Sequence, residues 1–226
     1  RADGVNGTDS GHTRIYEYND NNWVQLGQDI DGEAAADESG SSVSMNAEGN
    51  IVAIGAIHND NVNGIESGHT RIYEYNGTNW VKLGQDIDGE SQLDYSGWSV
   101  SINAAGDRVA IGARENDGVN GTDSGHTRIY EYNGTNWVKL GQDIDEAGSY
   151  DHMASVSMNA AGNRVAIGSP GNDATNTNIG RTRIYEYNVG TQQWVPLGQE
   201  IYGKVVSDNS GSSVSMNAEG NIVAIG

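Results

Sequence analysis

Carboxylates, amide oxygens and histidines recur in this chain at fixed intervals. Three loops each carry three such groups: Asp3, Asn6 and Asp9; Asp60, Asn63 and Glu66; Asp117, Asn120 and Asp123. Oxygen donors at every third position of a Gly-rich loop can wrap Ca2+, which takes roughly six to eight oxygens. The same residue types also hold loops together through Asx-turns. A second acidic set reads Asp29, Asp31, Glu33; Asp86, Asp88, Glu90; Asp143, Asp145, Glu146. Acids alternating along a strand end point to one side, where they can share a cation or simply solubilise an edge. His12, His69 and His126 hold one position per copy, with Arg181 in the fourth. Repeated at the start of a strand, they can line a ligand-binding face or be half-exposed strand residues. No Cys or second His stands nearby to make a zinc pattern.

Nucleophilic catalysis finds no support. The chain has no Gly-x-Ser-x-Gly elbow between strand and helix, no P-loop and no metalloprotease helix. Enzymes usually break symmetry at one site, whereas repeated sites suit multivalent binding. The expectation is a protein that is not an enzyme.

The spacing comes from an internal repeat, which sets the fold. Trp23, Trp80, Trp137 and Trp194 recur every 57 residues. The run Arg-Ile-Tyr-Glu-Tyr begins at Arg14, Arg71, Arg128 and Arg183, and Val-Ala-Ile-Gly at Val52, Val109, Val165 and Val223. Within one unit, residues 41–46 alternate small and apolar, a period-2 strand pattern. Residues 51–55 form a short continuous apolar run, which reads as a strand buried on both faces. Residues 70–75 are rich in β-formers. Asn76-Gly77 signals a hairpin into a fourth strand at 80–85.

Four antiparallel strands, repeated radially, make a propeller blade. The expected architecture is therefore all-β: one β-propeller domain over 1–226, with blades at 39–95, 96–152 and 153–210. Residues 211–226 plus 1–38 form a closing blade shared by both ends. A β-solenoid is the main competitor. The chain closes on itself as four blades, or two chains exchange half-blades in a larger homo-oligomeric ring; the sequence leaves both open.

Composition narrows the partners. The net charge is −19, from 12 Lys and Arg against 31 Asp and Glu. Such a surface repels nucleic-acid phosphates and anionic membranes, so neither is expected as a partner. There is no Cys, which excludes disulfides. No run approaches the ~18 apolar residues of a membrane span. Thirty-two Gly against 2 Pro suit many tight turns.

Short motifs resemble the FG-GAP repeat of integrin α-chain propellers and related bacterial and lectin propellers. They are Ser39-Gly40-Ser41-Ser42-Val43-Ser44, then Ala53-Ile54-Gly55-Ala56, then Gly68-His69-Thr70-Arg71-Ile72-Tyr73, repeated across the chain. That family commonly joins its first two strands by an Asp-rich calcium loop. Here the hairpin is Asn46-Ala47-Glu48-Gly49-Asn50, a plain turn, and the calcium site is not carried over. The resemblance implies an extracellular or cell-surface binding and adhesion module, offering repeated loops to a glycan or protein ligand, with Ca2+ steadying them. The alternative is a structural building block, self-assembling or amplified for its fold. The near-identity of residues 67–90 with 124–145 motivates that alternative.

Overall fold

The computed structural model describes residues 5–117, 120–146, 148, 151–153, 155–171 and 178–226. The described residues contain strands and turns and no helix, hence no helix long and apolar enough to cross a membrane. The chain opens on four short strands, β1 (His12–Thr13), β2 (Tyr16–Asn19), β3 (Asn22–Gln25) and β4 (Ile30–Asp31). The first large sheet holds β5 (Ser39–Met45), β6 (Ile51–Ala56), β7 (His69–Tyr75), β8 (Trp80–Lys82) and β9 (Ile87–Asp88). The second holds β10 (Ser96–Ile102), β11 (Arg108–Ala113), β12 (His126–Tyr132), β13 (Trp137–Lys139) and β14 (Ile144–Asp145). The third holds β15 (Ser155–Met158), β16 (Arg164–Ser169), β17 (Arg181–Asn188), β18 (Gln193–Pro196) and β19 (Ile201–Tyr202). A last hairpin pairs β20 (Val214–Met216) with β21 (Val223–Ile225).

Each large sheet is antiparallel and has five strands where the sequence suggests four. The cause is Gly84, whose φ of 78° ends the fourth strand early. The chain then turns back, and Ile87 and Asp88 pair with Thr70 and His69 at the other end of β7. Two residues are too few to show a period, so the sequence pattern reads this strand as loop.

The apolar run of β6 serves two cores. Val52 and Ile54 join Ile15, Ile30 and Trp80 on one face. Ala53, between them, joins Ile72, Ile87, Val100, Ile102, Val109, Ile111 and Trp137 on the other. In β11, Ala110 likewise turns away from Val109 and Ile111, toward Ile129, Val156, Val165 and Trp194. Period-2 alternation in a sheet covered on both sides gives this result. Burial of each Val or Ile side chain contributes roughly 1.5–3 kcal/mol.

Successive sheets are also joined by polar contacts. Ile102 N donates to Ser44 Oγ at 3.0 Å, Met158 N to Ser101 Oγ at 2.9 Å and Met216 N to Ser157 Oγ at 2.9 Å. Beside them runs a backbone ladder: Ala47 N to Ala104 O, Ala104 N to Ala160 O, and Ala160 N to Ala218 O, at 3.0–3.2 Å. Gly55 permits the close approach, since a Cβ there would lie 2.2 Å from Gly97 O on the next sheet.

At the other edge of the sheets, Gln and Trp form a clasp. Gln28 Nε2 donates to Trp80 O at 2.8 Å, Trp80 N donates to Gln28 Oε1 at 2.9 Å, and Trp80 Nε1 donates to Leu26 O at 2.8 Å. The same three bonds link Gln85 and Leu83 to Trp137, and Gln142 and Leu140 to Trp194.

Candidate functional site

The repeated histidine starts the third strand of each sheet, beside the short returning strand. His69 faces Asp88 there, and His126 faces Asp145. Both histidines are buried. Two residues on, Arg71 Nε and Nη2 donate to Asp86 at 3.1 and 2.9 Å, and Arg71 also contacts Glu33 from the preceding linker. Lys82 Nζ adds a 2.8 Å bond to Asp86. Arg128 repeats this with Asp143 at 2.8 and 2.9 Å and with Glu90, helped by Lys139 at 2.9 Å.

The electrostatics follow from burial and pairing. Burial, then the Arg71 charge, pushes the His69 pKa down to about 4, so the ring is neutral near pH 7. Burial and Arg128 do the same to His126, also to about 4. Burial disfavours the Asp86 charge, but hydrogen bonds from Arg71 and Lys82 outweigh it and hold the pKa at about 2. Asp88 is shifted up, by burial and by the Asp86 charge.

Glu33, His69 and Asp86 bring one donor atom each within 4.8 Å of one another. Arg71 contacts both carboxylates of that trio. A guanidinium among the donors opposes a divalent cation, so the cluster works as an ion-paired joint between the linker and the next sheet. His12, in the first copy, is only half-buried, and its neighbour Arg14 bonds Asp29 at 2.9 Å on the surface.

The third joint solves the same problem with other residues. The sequence reads Gly32-Glu33 and Gly89-Glu90, but then Glu146-Ala147, so the glutamate has moved one residue back. Glu146 is fully buried, and Arg181, in place of the histidine, is buried with it. Arg181 Nη2 lies 2.9 Å from Glu146 and 3.3 Å from Asp151, and Arg183 Nη2 lies 2.8 Å from Glu146. Sequence reasoning missed this network. Its signal was the coupled change of Gly-Glu to Glu-Ala and of His to Arg.

The loop acids are engaged by their own loops. Asn6, Asn63 and Asn120 each donate from Nδ2 to the backbone carbonyl of Gly32, Gly89 or Glu146, at 2.6, 2.7 and 2.6 Å. Asp60 Oδ1 accepts Glu66 N at 2.8 Å, and Asp117 Oδ1 accepts Asp123 N at 2.9 Å. Asp9, Glu66 and Asp123 all sit at positive φ, 56°, 51° and 50°. Asp3 lies outside the described residues.

One cleft breaks the symmetry. It has a volume of about 370 Å3 and is lined by residues 34–38 with His58, Asp60, Ile65 and Glu66. His58 Nδ1 lies 3.3 Å from Glu66 and its Nε2 3.8 Å from Glu38. Tyr95 packs edge-on to the His58 ring and donates its hydroxyl to Glu66 at 3.0 Å. Burial, then that bond to Glu66, pushes the Tyr95 pKa up to about 12.

No family model matches this chain, and no curated protein matches it. Among solved structures it is similar to a putative 6-phosphogluconolactonase from Bacteroides uniformis ATCC 8492, at 11% identity and a TM-score of 0.59, over 96% of this chain and 52% of that one. It is also similar to a putative 6-phosphogluconolactonase from Bacteroides fragilis NCTC 9343, at 11% identity and a TM-score of 0.53, over 86% of this chain and 44% of that one. Likeness at this identity concerns the fold alone, and the chain spans about half the length of these structures.

These neighbours overturn the FG-GAP resemblance, because they are named as putative lactonases and belong to a different fold family. The integrin-like adhesion module, with its glycan or protein ligand, falls with that resemblance. The physical reason lies in the motifs. Ser42 Oγ donates to Gly97 O at 2.6 Å, and Gly55 faces the same carbonyl. Ser-Gly and Gly-Ala runs therefore answer to close sheet packing, which is not peculiar to one family.

Proposed function

We propose that the chain is an arc of a β-propeller and that its role is architectural and non-enzymatic. Successive blades are the three sheets, flanked by the N-terminal strands and the C-terminal hairpin. The observation that carries the reading is the Gln–Trp clasp, which recurs with the same three hydrogen bonds at each of three junctions. Small residues line one edge of every sheet and Trp the other, as a radial stack requires. The repeated charged residues are spent on the same junctions. Glu33 and Arg71 join neighbouring repeats, as do Glu90 and Arg128. Each repeat thus stabilises its neighbour, and stability is a sum of units and interfaces.

The neighbours' name raises a specific rival, the opening of 6-phosphogluconolactone. The asymmetric cleft is the place where such chemistry would sit. Its charged side chains are Asp37, Glu38, Asp60 and Glu66 beside His58, and four carboxylates oppose a phosphorylated substrate. The assay is direct: the chain is mixed with 6-phosphogluconolactone and acid release is followed. The expected rate equals that of the buffer. A faster rate that disappears in His58→Ala overturns the non-enzymatic reading.

A further inference from the structure

We propose that Asn76 and Asn133, at the tips of two hairpins, are sites of spontaneous chemical modification. Each side-chain amide cyclises onto the glycine that follows it and ends as aspartate or isoaspartate. Asn6, Asn63 and Asn120 are also followed by Gly, but the fold protects them. The sequence makes these five positions alike, and the structure sorts them into two classes.

The step needs only water. The backbone nitrogen of the glycine attacks the Asn Cγ and gives up its proton to solvent. The Cγ–Nδ2 bond breaks and the nitrogen leaves as ammonia. Water then opens the five-membered imide at either carbonyl. Three conditions favour the attack: a carbonyl polarised by N–H donors, an attacking residue without a side chain, and room for the backbone to bend onto Cγ.

Asn76 and Asn133 meet all three. Asn76 Oδ1 accepts from Thr78 N at 3.0 Å and from Asn79 N at 2.9 Å. Asn133 Oδ1 accepts from Thr135 N at 3.0 Å and from Asn136 N at 2.9 Å. Two donors on one oxygen steady the negative charge that develops there during attack. Both turns are exposed, and a Cβ at Gly77 or Gly134 would meet nothing within 4 Å.

The loop asparagines are held by the other end of the amide. Asn6, Asn63 and Asn120 donate from Nδ2 to backbone carbonyls 26 residues away, at 2.6, 2.7 and 2.6 Å. The nitrogen that must leave is thus anchored to an acceptor, which has no proton to give it. Their glycines are half-buried. A Cβ at Gly7 would lie 2.8 Å from Ala35 Cβ, and one at Gly64 2.6 Å from Gln92 Cβ, so the backbone has little room to swing. Losing that hydrogen bond alone slows the reaction about tenfold.

Each conversion adds a negative charge to a chain that already carries −19. An isoaspartate also routes the main chain through Cβ, and so lengthens the turn leading to Trp80 in β8 or Trp137 in β13.

Asn188 supplies an internal control. Its Oδ1 accepts from Gly190 N at 2.9 Å and from Thr191 N at 3.1 Å. The next residue, however, is Val189, whose branched side chain hinders attack. The parent chain and a Val189→Gly variant are incubated at body temperature in mildly alkaline buffer, both folded and in guanidinium chloride. Each asparagine is followed by peptide mass spectrometry, with isoaspartate methylation as a second readout. Tryptic peptides 72–82 and 129–139 have the same sequence, so the two hairpins are read together. In the folded chain the hairpin asparagines should convert at least about tenfold faster than the loop ones. Val189→Gly should bring Asn188 to the hairpin rate, and unfolding should bring the five Asn-Gly positions to similar rates. Loop asparagines that react as fast as the hairpin ones in the folded chain overturn the sorting. Hairpin asparagines that stay intact while the unfolded chain reacts overturn the proposal altogether. An Asn188 that remains inert in the variant overturns the role given to the paired N–H donors.

Discussion

The junction at His126 and the junction at Arg181 share a backbone and differ in chemistry. At the first, a neutral buried histidine lies beside an arginine whose carboxylates reach partly into water. At the second, two arginines and three acids converge, and Glu146 and Arg181 have lost nearly all contact with solvent. A buried charge is tolerated only with its partner. The comparison teaches that the repeat fixes where polar groups fall, while the content of each joint is settled locally and in pairs.

The strongest way to break this comparison is to remove one partner. Arg181→Met leaves Glu146 facing Arg183 alone and should cost about 3–5 kcal/mol in urea unfolding. The triple change Glu146→Gly, Ala147→Glu and Arg181→His restores the residues of the earlier copies at these positions and should lie within about 1 kcal/mol of the parent. If the single change costs no more than the triple one, the pairing has no energetic content.

Acid separates the two junctions next. His69 and His126 have folded pKa values of about 4, below the ordinary 6.5. The unfolded chain therefore binds protons first, and stability is fully present above pH ~6.5 and falls as the pH drops toward ~4. Each histidine should contribute roughly 1–3 kcal/mol to that loss. The His69→Asn, His126→Asn variant should show a flatter stability profile across this window. An unchanged slope would place the acid sensitivity elsewhere. Asp86, held at about 2, keeps its contribution above its unfolded pKa and loses it only in stronger acid.

The clasp should not distinguish the junctions at all. Gln85→Ala and Gln142→Ala each remove two bonds to a tryptophan backbone. Both should cost about 1–3 kcal/mol. A difference above ~1 kcal/mol between them would extend the contrast beyond the charged residues.

The smallest effect expected is that of calcium. Asp60 and Asp117 already accept their own loops' N–H groups. Millimolar Ca2+ or a chelator should shift the melting temperature by less than about 1 °C. A larger shift would give these loops a metal-binding role.

Much of the architecture was legible because strands announce themselves by period. The alternation at 41–46 and the apolar run at 51–55 map onto β5 and β6. The partners were harder. Gln28 and Trp80 are 52 residues apart, and neither hints at the other until the sheets stack. The acids of the second set read as a solubilising edge or a shared cation site, because the sequence shows carboxylates but not the arginine between them. Glu146 and Arg181 were readable as a coupled exception, yet a search for regularity passes over exceptions. The FG-GAP motifs misled because small residues at a tight crossing recur wherever two backbones meet closely.

The alanine ladder along one edge of the sheets has a direction. Every rung donates from the earlier repeat to the later one, Ala47 to Ala104, Ala104 to Ala160 and Ala160 to Ala218. The ladder is therefore polar, in the way an arrow is: each repeat extends it in one sense only.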